Sequence, residues 1–179
     1  MCSSDLCLAL LDGLAEPAVL DVGTGTGAIA LAIADECPGA RVTAVDASPA
    51  ALELAGENAQ RLGLDVALVA ADVTTGLPGH SYDLVVSNPP YVRASELPTL
   101  APELLDWEPR EALVDEGQTL AIIEAARGAL RPGGWLVLET HAEGAGEVVR
   151  ELLDCGYVDP AITQDLAGRE RIVEARWGP

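Results

Sequence analysis

Residues 18–28 read AVLDVGTGTGA, an apolar run that gives way to alternating glycines and then to the helical pattern GAIALAIADE of residues 27–36, stopped by Pro38 and Gly39. Ala18–Val22, apolar except for Asp21, predicts a strand buried on both faces, and the period after Gly27 predicts a helix. Between them Gly23, Gly25 and Gly27 lack the side chains that would keep a ligand away from the backbone. Taken alone the turn is ambiguous. With Ala28 in the last place it fits the GxGxxA of a dinucleotide site, and it equally suits another adenosine ligand or a tight structural turn.

The same alternation continues downstream. Arg41–Asp46 (RVTAVD) predicts a second strand, and Ser48 caps a helix that takes Pro49 in its first turn and ends near Gly63. Val66–Asp72 (VALVAAD) and Tyr82–Asn88 (YDLVVSN) predict two more strands, separated by the turn-rich TTGLPGHS. Residues 93–117 read as a long, partly helical loop, a length that usually has a function. Gln118–Leu130 predicts a helix, RPGG its stop, Trp135–Thr140 (WLVLET) a strand and Glu143–Cys155 a helix. Ala161–Asp165 and Arg171–Trp177 predict a terminal hairpin turning through Gly168.

Strands of this kind alternating with helices imply a mostly parallel sheet covered on both faces. Such sheets bind ligands beyond the carboxyl ends of their strands, where the strand order reverses. The glycine turn, Asp46, Asp72 and Asn88 all fall at strand ends on that rim.

Composition narrows the function classes. A chain of 179 residues, 49% apolar and 22% charged, fits one globular domain. The longest uncharged stretch, Val22–Ala34, is 13 residues and holds three glycines, too short for the roughly 20 residues of a membrane span. No Lys or Arg precedes Arg41, so the basic start of a secretory or transit signal is missing and a cytoplasmic location is expected. All ten basic residues are arginines, against 29 acidic residues, for a net charge of −19. That field repels phosphate backbones, so direct nucleic-acid binding is not expected. An equal reading of the acidity is compositional: it serves solubility in a GC-rich or salt-adapted source. Cys2, Cys7, Cys37 and Cys155 form no CxxC pair and have only His80 and His141 as potential nitrogen partners, so no metal site is expected. Both histidines read as surface residues.

The polar signals of the rim suit a methyl donor or a nicotinamide cofactor. Asp46, 23 residues after Gly23, can accept both ribose hydroxyls through its two oxygens. Asp72, through its carboxylate or neighbouring backbone, is placed to meet the amino group of an adenine, with a solvated turn carboxylate as the plain alternative. Ser87-Asn88-Pro89-Pro90-Tyr91 then sharpens the reading. The Asn88 side-chain carbonyl and the Pro89 backbone carbonyl, aimed by two prolines, offer two acceptors to one NH2 group, and Tyr91 offers a flat face. An amide or exocyclic amine is a poor nucleophile because its lone pair is delocalised. Accepting both its N–H bonds favours the geometry that localises the pair, and the sulfonium methyl of S-adenosylmethionine is a suitable electrophile. Alignment and desolvation would then do most of the catalysis, without a Ser-His or Cys-His device.

DVGTGTGAIALAIA, VTAVDAS, SNPPYV, WEPREAL and RPGGWLVLETH, in this order, resemble the catalytic domain of the HemK/PrmC family, which methylates the glutamine of the GGQ motif in peptide chain release factors. The similarity covers about residues 16–177. It implies a Rossmann-like class I α/β fold: a mostly parallel seven-stranded sheet, helices on both faces and an antiparallel C-terminal hairpin. It further implies that Gly23, Thr24, Gly25, Thr26, Gly27, Asp46, Asp72, Val73 and Asn88 bind S-adenosylmethionine, leaving S-adenosylhomocysteine as product. Asn88, Pro89, Pro90 and Tyr91 would hold the substrate glutamine, with Asn88, Pro89 and Tyr91 acting catalytically. The loop with Trp107, Glu108 and Pro109 would border the substrate or serve as a packing hook, and release factors would be the partner.

NPPY is shared with adenine-N6 methyltransferases, so a nucleic-acid enzyme holding a flipped base is the alternative, disfavoured by the charge. An oxidoreductase with NPPY as a bare turn, or a fragment that binds donor without transferring it, are further readings. The family usually carries a helical N-terminal domain and a Pro-Arg-Pro-Glu-type segment that this sequence does not match. MCSSDLC is therefore read as part of an atypical lead-in over residues 1–15 of a truncated chain or fragment, followed by one catalytic domain over residues 16–179.

Overall fold

The computed structural model describes residues 1–79, 81–92, 97–99 and 110–178. Seven strands form a single sheet: β1 (Ala18–Val22), β2 (Arg41–Asp46), β3 (Ala67–Ala70), β4 (Tyr82–Ser87), β5 (Leu130–Glu139), β6 (Tyr157–Gln164) and β7 (Glu170–Trp177). Their order is β3-β2-β1-β4-β5-β7-β6. The first five are parallel, while β7 lies antiparallel to both β5 and β6. The chain moves outward from β1 to β3, then returns to place β4 on the other side of β1, so the order reverses between β1 and β4.

Successive side chains of a strand point to opposite faces, and here both faces are covered. Leu20, Val22, Val85, Leu136 and Leu138 pack under α5 (Gln118–Ala129) and α6 (Ala145–Asp154). Val19, Val42, Leu84, Val86 and Val137 pack under α1 (Ser3–Leu11) and α2 (Ala28–Glu36). α3 (Pro49–Leu62) begins as its sequence predicts. The Ser48 hydroxyl accepts the Ala51 N–H at 3.3 Å, Pro49 occupies the first turn, and Gly63 ends the helix at φ 69°. A four-residue helix, α4 (Arg110–Leu113), precedes α5.

Several boundaries differ from the sequence expectation for identifiable reasons. α1 buries Leu6, Cys7 and Leu11 against the sheet face, making the opening residues part of the core; Cys2 caps it reciprocally with Asp5. β3, expected to run Val66–Asp72, covers only Ala67–Ala70 as an edge strand, because Asp72 instead caps a 3-10 turn at Val73–Thr75. RPGG lies inside β5: Leu130 pairs with Tyr82 and Trp135 with Leu84, so two residues on one strand span five on the other and the segment bulges. β6 starts at Tyr157 and carries Pro160, which is tolerated because β6 is the outer edge and its register shifts between Val158 and Ala161. Of residues 93–117, expected to be a partly helical loop, a 3-10 turn at Leu97–Thr99 and α4 are seen.

Among the described residues no helix is long and apolar enough to cross a membrane. The four cysteines are free thiols, with Cys7 buried and Cys2 exposed. His141 is half-buried just beyond β5, deeper than the surface position expected, and His80 falls outside the described residues.

Candidate active site

The glycine turn leaves β1 at Val22 and is fastened to β2, where Val45 O accepts the N–H groups of Gly23 (2.9 Å) and Thr24 (3.0 Å). Gly23 and Gly25 both have positive φ, 69° and 56°, and a Cβ on either would meet no atom within 4 Å. Their bare backbone therefore faces open space, as close approach of a ligand requires. Gly27 has a different reason to be glycine: at φ 82° it caps α2, and a Cβ would stand 3.1 Å from Leu31 and 3.3 Å from Ala55. Thr24 is buried beneath the turn, while Thr26 is exposed and its carbonyl accepts from the Asn58 amide at 2.9 Å.

Beneath the turn lies a carboxylate that the sequence reading quoted within the motif without giving it a role. Asp21 is 1% exposed; one oxygen accepts from Thr24 Oγ1 at 2.7 Å and the Ala30 N–H at 3.1 Å, and the other has no partner. Burial pushes its pKa up to about 6, against the lowering effect of those two bonds, and Asp46 nearby adds to the rise. Its signal in the sequence was a charged residue inside an otherwise apolar strand.

Asp46, at the end of β2, is half-buried. Its Oδ2 accepts the Gly25 N–H at 2.9 Å and its Oδ1 the Ser48 N–H at 2.9 Å, so the carboxylate ties the turn to the start of α3. Each oxygen keeps a second lone pair for a further donor. Asp72 is exposed, and its Oδ1 takes the Thr74 N–H (2.9 Å) and hydroxyl (2.7 Å), which hold its pKa below the usual carboxylate range. Val73 is half-buried and packs against the core.

On the other side of β1, Ser87 is buried and its hydroxyl donates to Val22 O at 2.6 Å, while Val22 and Ser87 are register partners. Gly23 and Asn88 thus emerge side by side from adjacent strands, which lie about 4.8 Å apart. Asn88 is exposed, Pro89 buried, Pro90 and Tyr91 half-buried. The chain beyond is fixed at once: Val92 donates to Leu113 O (2.9 Å) and accepts from the Asp115 N–H (3.0 Å), forming a parallel bridge with the buried Val114. The end of the WEPREAL segment therefore braces the exit from NPPY, whereas Trp107, Glu108 and Pro109 lie outside the described residues. Tyr91 is more constrained than a bare platform, since the Arg171 guanidinium carbon sits 5.0 Å from its ring centroid. The sequence assigns no role to Ser87, present only as part of the motif, or to Arg171. Neither carries a local signal, because each works through a partner dozens of residues away.

The structure thus gathers the glycine turn, Asp46, Asp72, Val73 and Asn88–Tyr91 on one rim, across the point where the strand order reverses. This topology and rim are those of the Rossmann-like methyltransferase fold. A SAM-dependent O-methyltransferase from Thermotoga maritima superposes with a TM-score of 0.71 at 15% identity, over 98% of this chain and 64% of that one. Residues 2–154 match the Methyltransferase small domain family, and the chain belongs to it. Among curated relatives it is 48% identical over 174 residues to a release factor glutamine methyltransferase from Bordetella pertussis, covering 94% of this chain and 64% of the relative. It is 40% identical over 165 residues to one from Geobacter sulfurreducens, covering 90% and 58%. The chain spans less than two thirds of the length of these relatives.

Proposed function

We propose that this chain transfers a methyl group from S-adenosylmethionine to the side-chain amide nitrogen of a glutamine, with the GGQ motif of a peptide chain release factor as the substrate. The observation that carries the reading is the register of β1 with β4, sealed by Ser87, which sets a bare glycine backbone beside the Asn-Pro-Pro-Tyr turn. The names of the relatives in Bordetella pertussis and Geobacter sulfurreducens support the choice of acceptor. Release of peptides being a ribosomal event, the reaction belongs in the cytoplasm.

The residues present fit the donor. The open backbone at Gly23 and Gly25 gives room for its amino-acid portion, and the unpartnered Asp21 oxygen and Asp46 set negative charge at a site for a cation. Asp46 would take the ribose hydroxyls with its remaining lone pairs, and Asp72 and Val73 would flank the adenine. When bound, S-adenosylmethionine supplies an electrophilic methyl on a sulfonium.

On the acceptor side, Asn88 Oδ1 and the Pro89 carbonyl would accept the two N–H bonds of the glutamine amide, holding its nitrogen pyramidal and its lone pair toward the glycine turn. Pro89 and Pro90 restrict the backbone that aims the carbonyl. Tyr91 would support the amide plane. Catalysis on this account is alignment of an otherwise weak nucleophile.

Incubation with methyl-labelled donor and either a release factor or adenine-containing DNA and RNA tests the reading. Label on the GGQ glutamine is expected; label on nucleic acid alone would overturn it in favour of an adenine methyltransferase.

A further inference from the structure

The antiparallel strand β7 presents its first residues, rather than its last, to the rim where β4 and β5 end, and this brings Arg171 to the NPPY turn. Backbone and side chain both fix it there. Thr140, buried just beyond β5, donates its N–H to Arg171 O at 2.8 Å, and Arg171 Nε donates back to Thr140 O at 3.2 Å. The hairpin behind it is internally closed. Asp165 takes Arg169 Nε at 2.8 Å on one oxygen, and the N–H groups of Ala167 (2.8 Å) and Arg169 (2.9 Å) on the other. Arg169 is thereby committed to the turn, and Arg171, two residues on and inside β7, carries the contact with Tyr91.

A guanidinium is planar, attracted to the face of an aromatic ring, and directional through Nε. With Nε bonded to the Thr140 carbonyl, the cation is held over one face of the Tyr91 ring. We propose that Arg171 is a positioning residue for methyl transfer: it fixes the orientation of Tyr91 and restricts the planar acceptor amide to the opposite face of the ring. The proposal rests on the glutamine reading of the site.

Two readouts test it on the full chain. In the first, Arg171→Met lowers kcat on a release factor by roughly tenfold, leaving donor affinity and Tm nearly unchanged. Arg171→Lys recovers only part of the loss, because an ammonium cannot lie flat on the ring while donating from Nε. In a Tyr91→Ala background Arg171→Met costs little more, since residues that act through one another are not additive. In the second, the protein is labelled with fluorotyrosine. The chain has three tyrosines, so the Tyr91 signal is the one lost in Tyr91→Phe. Arg171→Met should shift that signal and leave the other two in place.

An unmoved Tyr91 signal, or fully additive losses in the double variant, overturns the proposal. A wild-type chain that fails to label the glutamine overturns the glutamine reading instead, and the fluorine signal then decides by itself whether Arg171 holds the ring.

Discussion

The two halves of the rim are built differently. On the side of β1, β2 and β3, most of the bonds that hold the shape are of short sequence reach, Asp21 to Thr24 and Ala30, Asp46 to Ser48 and Asp72 to Thr74, the exceptions being those that tie β2 to the glycine turn, Asp46 to Gly25 and Val45 to Gly23 and Thr24. On the side of β4, β5 and β7, it is held by contacts between distant segments: Ser87 to Val22, Val92 to Leu113 and Asp115, Arg171 to Thr140 and Tyr91. A preformed local cradle suits a donor of constant shape. On the function proposed, an acceptor side assembled from several elements would let the residues that meet a protein substrate be adjusted without disturbing the cradle.

The contrast predicts that losses on the acceptor side fall on turnover and losses on the donor side on affinity. The largest effect should come from Asn88→Ala, which removes the proposed acceptor of the amide N–H, a bond expected to strengthen as the nitrogen pyramidalises. Single-turnover assays should show a fall of about a hundredfold or more, with the donor dissociation constant changed by no more than a few-fold. A donor constant that rose in step with the loss would abolish the division between the two halves.

Asp46→Ala comes next. It releases the Gly25 and Ser48 N–H groups and removes the proposed ribose acceptor, so calorimetric titration should show donor affinity falling by about tenfold or more. Turnover at saturating donor should stay within a few-fold of wild type.

Asp21 sharpens the comparison through pH. Its folded pKa, about 6, lies above the ordinary carboxylate value, so the folded chain binds this proton more tightly than the unfolded chain does. Its contribution to stability is therefore greatest at acid pH and declines as pH rises from about 4 to about 6, by roughly 3 kcal/mol, levelling off above. Asp21→Asn should flatten this part of the profile in urea unfolding measured across that range. Donor affinity is expected to move the other way in the wild type, rising with pH through about 6 as the carboxylate charges beneath the proposed cationic ligand, and in Asp21→Asn that rise should vanish.

The smallest effect belongs to Asp72→Ala, at an exposed turn. A thermal melt should shift by about three degrees or less, and donor affinity should fall less than in Asp46→Ala.

Most of this fold was legible in the sequence because its signals are local. Ala18–Val22 and Arg41–Asp46 are mainly apolar runs flanked by turn residues and match β1 and β2 to the residue, and Ser48 with Pro49 opens a helix that ends, as expected, near Gly63. The legible part of the site is of the same kind, with glycines following a strand and prolines following another. The segments misjudged are those where a partner sets the outcome. RPGG resembles a helix stop and becomes a bulge because Tyr82 and Leu84 fix the strand on either side of it. Pro160 looks like a strand breaker and is accepted because, among the described residues, β6 is an edge of the sheet. α1 gave no strong pattern of its own, and burial of Leu6, Cys7 and Leu11 against the sheet decides it.

The sequence by itself determined the strand-helix alternation, the positions of the glycine and NPPY turns at strand ends, and the acidic field, because backbone preference, hydrophobic period and charge are properties of neighbouring residues. Only the tertiary structure decided that Ser87 would lock the two turns together, that Asp21 would be sealed with an unpartnered oxygen, and that Arg171 would cover Tyr91. Those outcomes depend on strand order and register, which set distances between residues that the chain itself keeps far apart.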